Sequence, residues 1–232
     1  MRYDIDMKGI KIGEKRMEAI NEREAILAAY RELAACGYVI GTWGNISIRY
    51  KESFVLTPSR VDSSVMQAED LVLVGMDGLK ICGERNPSSE KEVHRQIYVK
   101  RPDIGAIIHC HSTYATAVSA AGVDIPPIVE EVSQLVGNGI CCTKEYVRAG
   151  EHERLGEQAA AFLYDNLAVL LKNHGPVCCG SDITEALLCC RVVEKAAQMF
   201  LALEQGLHAK CIPIDAVRLE HDRYKYTYGK ET

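Results

Sequence analysis

His109 and His111 flank a single residue at the end of an apolar run, Ile104-Gly-Ala-Ile-Ile-His109-Cys110-His111. Side chains alternate faces along a strand, so the two imidazoles project together while Cys110 projects the other way. Such a pair is a metal clamp in need of a third ligand. His174 closes a second run of the same kind, Leu167-Ala-Val-Leu-Leu-Lys-Asn-His174-Gly175, and offers that ligand. Three histidines and an open fourth position are the ligand set of catalytic zinc. Two histidines and a carboxylate are the set of non-haem iron oxygenases, and Glu90 is available for it, so iron stays open on spacing. The other histidines, His94, His152, His208 and His221, stand singly among polar residues and are expected to face solvent.

Three further segments suit an anion. Gly44-Asn45 lets the backbone approach closely, because glycine lacks a side chain and asparagine tolerates left-handed turns. Thr57-Pro58-Ser59-Arg60 offers hydroxyls and a guanidinium just past a strand. Ser88-Ser89 stands at an expected helix N-terminus, where free N–H groups and the helix dipole favour negative charge. The plainer alternatives are a Gly-Asn turn and a capping box between Ser89 and Glu92. Glu90 in the first helical turn is favoured by the dipole alone, yet a carboxylate beside a metal and a phosphate cradle is also a good general base.

The remainder of the chain must position these groups. At 232 residues it fits one large domain, read here as 1–232 with residues 207–232 as a C-terminal tail. The net charge of −5 argues against nucleic acid as a partner. No apolar stretch reaches membrane-spanning length, and the N-terminus, Met1-Arg-Tyr-Asp-Ile-Asp-Met-Lys, has no apolar core, which predicts a cytoplasmic protein. The ten cysteines include adjacent pairs but no C-x-x-C, so most of them read as small buried apolar residues rather than disulfides or a thiolate metal site.

Periodicity predicts helices over 14–36, from about 89 to 100, a short one after Ser112, and others over 151–165 and 183–205. Ser112 is expected to cap its helix, and Asp182 with Glu185 resembles a capping box. Strands are expected at 46–50, 53–57, 71–75, 79–82, 104–111 and 167–174, with Asp77-Gly78 as a hairpin turn.

Taken in order, Gly44-Asn45-Ile46-Ser47, Thr57-Pro58-Ser59, Pro87-Ser88-Ser89-Glu90, His109-Cys110-His111-Ser112 and Asn173-His174-Gly175 resemble the class II aldolase/adducin family over residues 20–205. The resemblance implies an α/β fold, a three-layer α/β/α sandwich around a largely antiparallel sheet. It implies a homotetramer with active sites between subunits. It implies a Zn2+ ion on His109, His111 and His174, and a substrate phosphate held by Gly44, Asn45, Ser59, Ser88 and Ser89. Glu90 then moves the proton as a ketose 1-phosphate of the fuculose type is cleaved to dihydroxyacetone phosphate and an aldehyde. Tyr228 resembles the C-terminal tyrosine that closes the site.

Two positions depart from the pattern. Arg60 stands where the family usually has glycine, and its guanidinium is a candidate phosphate contact. Glu130 aligns with a tyrosine that a neighbouring subunit contributes in the aldolases. A carboxylate there resembles the sugar-phosphate 4-epimerases and dehydratases of the same scaffold, in which it serves as acid or base. A Schiff-base route through Lys172 is redundant beside the histidines. An adducin-like assembly role is disfavoured because all three histidines and Glu90 are present.

Overall fold

The computed structural model describes residues 18–203 and 209–227. Eight strands form one sheet: β1 (Asn45–Tyr50), β2 (Ser53–Leu56), β3 (Val72–Gly75), β4 (Lys80–Cys82), β5 (Ala106–His109), β6 (Cys141–Cys142), β7 (Ala168–Leu171) and β8 (Gly175–Gly180). Their order is β4-β3-β2-β1-β5-β8-β7-β6, and every pairing is antiparallel except β6 with β7.

Side-chain alternation feeds two separate cores. Ile46, Val55, Leu73, Ile108, Leu170 and Cys178 face one side, where α1 (Ile20–Ala35), α3 (Thr113–Ala121) and α5 (Ile183–Leu203) lie. Phe54, Leu56, Val74, Ile107, Val169 and Val177 face the other, against α2 (Lys91–Lys100) and α4 (His152–Leu163). This is the expected three-layer sandwich. Both faces of the sheet are covered, which is why its strands read as nearly unbroken apolar runs.

Several local expectations hold. Asp77-Gly78 turns the β3–β4 hairpin with Gly78 at φ +82°, and Asp182 Oδ1 accepts the Glu185 N–H at the start of α5. Six of the ten cysteines are buried, Cys36 and Cys211 are exposed, and no two of the ten are joined in a disulfide. No helix among the described residues is long and apolar enough to cross a membrane.

Others are corrected. The strand expected to run to His174 stops at Leu171; the chain reverses through Lys172-Asn173-His174 and returns as β8, whose cysteines and glycines disguised it. Ser112 does not cap α3 with its side chain. The Tyr114 and Ala115 N–H groups donate instead to Glu194 of α5, a partner far away in sequence. Ser89 with Glu92 is no capping box either: Glu90 holds the N-cap position of α2, and Glu92 pairs with Arg95 and Lys91. The C-terminal segment forms α6 (Ile214–Tyr226), with Val217 buried and His221 Nδ1 donating to the Gln134 carbonyl in the short π-helical turn Val132–Val136.

Candidate metal centre and cleft

Strand register builds the centre. Asn45 pairs with His109 across β1 and β5, and His109 pairs with Val177 across β5 and β8. The alternation of β5 carries past its end, so Cys110 enters the core beneath α1 and α5 while His109 and His111 share the opposite side. The β7–β8 turn then brings His174 to the same point. Two glycines permit the approach. A Cβ on Gly44, at φ +96°, would lie 3.0 Å from the His109 carbonyl and 2.7 Å from Val39 Cγ1. A Cβ on Gly175, at φ +153°, would lie 2.5 Å from the Cys110 carbonyl.

The His109 Nε2 atom lies 3.2 Å from that of His111 and 3.4 Å from that of His174. A tetrahedral ion with bonds of about 2.05 Å to nitrogen separates its ligands by about 3.3 Å, so these spacings fit a divalent metal. His109 Nδ1 donates to the Pro176 carbonyl at 2.9 Å, which fixes the tautomer and leaves Nε2 with a free lone pair. Burial pushes His109 down to about 3 and also lowers His111, so both are neutral, as metal ligation requires.

Glu90 faces this cluster from the start of α2. Its Oε1 lies 3.3 Å from His174 Nε2 and its Oε2 lies 3.5 Å from His109 Nε2. Asn45 Nδ2 donates to Oε2 at 2.8 Å. Burial opposes a charge on Glu90, but His109, His174 and the Asn45 hydrogen bond outweigh it and hold the carboxyl down at about 2. The carboxylate is therefore anionic and aimed at the metal position.

The open side is a cleft of about 980 Å³. Gly44, Asn45, Ser59, Arg60, Ser88 and Ser89 all line it together with Glu90, His111 and His174. Two of the anion segments are stitched side by side: the Ser88 N–H donates to the Thr57 carbonyl, the Ser59 N–H to that of Asn86, and Ser59 Oγ to that of Pro87. Arg60 sits at φ +59°, a left-handed conformation that favours glycine, so the backbone here suits the glycine from which the chain departs. Arg60 is exposed at the cleft.

Glu130 lies outside the cleft of its own chain, exposed, with its Oε1 accepting from Gln134 Nε2. Tyr228 lies outside the described residues, as does His208. His94 corrects the solvent-facing expectation: it is fully buried, one helical turn beyond Glu90, and hydrogen-bonded to Asn45 and Ser47. Its signal was the spacing Glu90-x-x-x-His94, which puts both residues on one face of α2. Arg85, Tyr146 and Arg148 also line the cleft and belong to no sequence motif.

The comparisons agree with this geometry. The family model described as Class II Aldolase and Adducin N-terminal domain matches residues 24–201. A 5-deoxy-D-ribulose 1-phosphate aldolase of Bacillus thuringiensis serovar kurstaki is 33% identical over 196 residues, covering 84% of this chain and 91% of the relative. An L-fuculose phosphate aldolase of Escherichia coli K12 is 32% identical over 185 residues, covering 80% and 85%. Among solved structures, an L-fuculose 1-phosphate aldolase superposes with a TM-score of 0.86 at 27% identity, covering 91% of this chain and 99% of that one. The reaction class of this chain is accordingly that of an aldolase, a carbon–carbon lyase. The chain belongs to the class II aldolase and adducin N-terminal domain family.

Proposed function

We propose that the protein is a zinc-dependent aldolase that cleaves a ketose 1-phosphate, such as fuculose 1-phosphate or 5-deoxyribulose 1-phosphate, to dihydroxyacetone phosphate and an aldehyde. The observation that carries this reading is an anionic Glu90 within 3.3–3.5 Å of two nitrogens of a three-histidine cluster, at the floor of a cleft lined by anion-binding groups.

His109, His111 and His174 would hold the ion, which when bound would supply Lewis acidity to the oxygen-bearing end of the substrate. Gly44, Asn45, Ser59, Arg60, Ser88 and Ser89 grip the phosphate. That remote grip sets the reacting carbons at the metal end of the cleft. Cleavage breaks the C3–C4 bond, releases the proton of the C4 hydroxyl and requires one at C3. The ionised Glu90 takes up that hydroxyl proton and passes it to C3 in cleavage, and it removes the C3 proton in condensation. Tyr228 is assigned, by its resemblance to the family's C-terminal tyrosine alone, to the aldehyde end of the substrate.

The reading includes a homotetramer whose clefts are completed by neighbouring subunits. Trp43 and Tyr146, 65% and 58% exposed at the cleft, support it, because large aromatic surface is costly to leave wet. A 4-epimerase or dehydratase would instead need Glu130 delivered by another subunit. The test is to incubate metal-loaded protein with fuculose 1-phosphate, ribulose 1-phosphate and 5-deoxyribulose 1-phosphate and assay triose phosphate. Release supports the aldolase; epimerised or dehydrated product without triose phosphate replaces it with the Glu130 chemistry.

A further inference from the structure

We propose that His94 is a positioning residue, which as the neutral Nε2–H tautomer locks the Asn45 carboxamide and, through it, the proton-moving carboxylate of Glu90. The proposal rests on the role given to Glu90 above.

A chain of hydrogen bonds runs from the core to the metal centre. Tyr98 OH and Ser47 Oγ are 2.8 Å apart, Ser47 Oγ and His94 Nδ1 2.7 Å, His94 Nε2 and Asn45 Oδ1 2.5 Å, and Asn45 Nδ2 and Glu90 Oε2 2.8 Å. Ser47, His94 and Tyr98 are each no more than 1% exposed, so water does not compete for these bonds.

Its direction follows from which groups can give a hydrogen. An ionised carboxylate only accepts, so Asn45 must turn its NH2 to Glu90 and its oxygen to His94. That oxygen also only accepts, so His94 Nε2 carries a hydrogen. Burial pushes His94 down to about 3, leaving one ring proton, and Nδ1 is then an acceptor. Ser47 therefore donates to Nδ1, and its oxygen accepts from the Tyr98 hydroxyl, whose titration burial pushes well above the ordinary phenol range. The reverse direction would set the Asn45 oxygen against the Glu90 carboxylate. Only one arrangement satisfies every group.

The arrangement costs the fold a buried imidazole among polar groups that an apolar side chain would replace with less desolvation. What it secures is the orientation of Asn45. The Asn45 backbone is fixed by pairing with His109, but its side chain has rotamers of its own, and His94 selects the one that reaches Glu90.

The experiment compares His94→Gln and His94→Asn. Glutamine places an amide NH2 near the Nε2 position and still donates to Asn45. Asparagine places its oxygen near Nδ1 and serves Ser47 but leaves Asn45 without a donor. The expected result is a kcat for H94N lowered about 10- to 100-fold, with KM and bound metal near wild type, while H94Q keeps at least about a third of wild-type kcat. Crystal structures of the two variants should show the Asn45–Glu90 hydrogen bond broken in H94N and kept in H94Q. Equal loss in both variants with that bond intact overturns the proposal, as does wild-type kcat in H94N. If neither variant folds, 15N spectra of the histidine-labelled wild-type protein decide, since the Nδ1–H tautomer at His94 contradicts the proposal and Nε2–H supports it. A wild-type protein that cleaves no ketose phosphate defeats the aldolase reading, and the tautomer and the Asn45–Glu90 bond still judge the positioning claim.

Discussion

Glu90 Oε1 stands 3.3 Å from His174 Nε2, although the two residues are 84 positions apart. The contact ties the N-cap of α2 to the turn between β7 and β8, and it makes the carboxylate a neighbour of the histidine cluster. Replacing Glu90 with glutamine keeps the shape and removes the proton acceptor. We expect kcat for cleavage to fall about 10²- to 10⁴-fold. Metal content should stay near one ion per chain. Stoichiometric metal analysis alongside steady-state kinetics checks both, and near-normal kcat in E90Q removes Glu90 from the chemistry.

His109→Ala and His174→Ala should each abolish stoichiometric binding, because two imidazoles hold a divalent ion far more weakly than three. A subtler variant is Gly175→Ala. Its Cβ would lie 2.5 Å from the Cys110 carbonyl and 3.2 Å from His111 Cδ2, so it must displace His111 or the strand end that carries it. Competition against a chelating dye should show lowered metal affinity in G175A at unchanged ligand chemistry. Unchanged affinity would mean that the cluster tolerates more movement than its packing suggests.

Arg60 combines a cation with a strained backbone. Arg60→Gly removes the guanidinium from the cleft and relieves a left-handed conformation costing about 1–2 kcal/mol, offset by the extra freedom glycine gives the unfolded chain. Thermal stability should therefore change little. KM for the phosphorylated substrate should rise about 3- to 30-fold, the value of one charge-assisted contact. A KM at the wild-type value would take Arg60 out of the phosphate grip.

Acid should expose the buried histidine of α2. The folded His94 titrates at about 3, against about 6.5 when unfolded, so between those values the unfolded chain binds the extra proton. Stability therefore falls as pH drops through the unfolded value. The loss between pH 7 and pH 5 is about 2 kcal/mol for one such group. Urea unfolding of chelator-treated wild type and H94Q should show their stability difference shifting by this amount in favour of H94Q at pH 5. A difference independent of pH would mean that His94 is not neutral in the fold.

The grouping of the histidines was legible in part because His109 and His111 close an apolar strand, where a two-residue repeat fixes which side chains share a face. His109 and His111 needed only that rule, whereas His174 stands in the turn beyond β7 and reaches them because that turn returns the chain as β8; the helix starting near Ser88-Ser89-Glu90 needed only its turn residues. The antiparallel sheet order was not legible from periodicity. β8 carries Gly175, Pro176, Cys178, Cys179 and Gly180, residue types that do not announce a strand, and its place between β5 and β7 supplies the stability. The cap on α3 was also hidden, since Glu194 reaches it from 79 and 80 residues away and no local pattern reports so distant a partner. His94 was misjudged for the opposite reason. Its sequence neighbours Glu92 and Arg95 are charged, and they pair with each other one turn apart along the helix while His94 turns inward.

The central claim is that this fold cleaves a phosphorylated ketose only when the three-histidine cluster holds its ion. The most direct measurement strips the protein with chelator, restores Zn2+ in substoichiometric steps, and follows dihydroxyacetone phosphate release from 5-deoxyribulose 1-phosphate and fuculose 1-phosphate. The account predicts no release from stripped protein, a linear rise with added ion, and a plateau at about one ion per chain. Release from fully stripped protein, or none at any metal loading with either substrate, would contradict it.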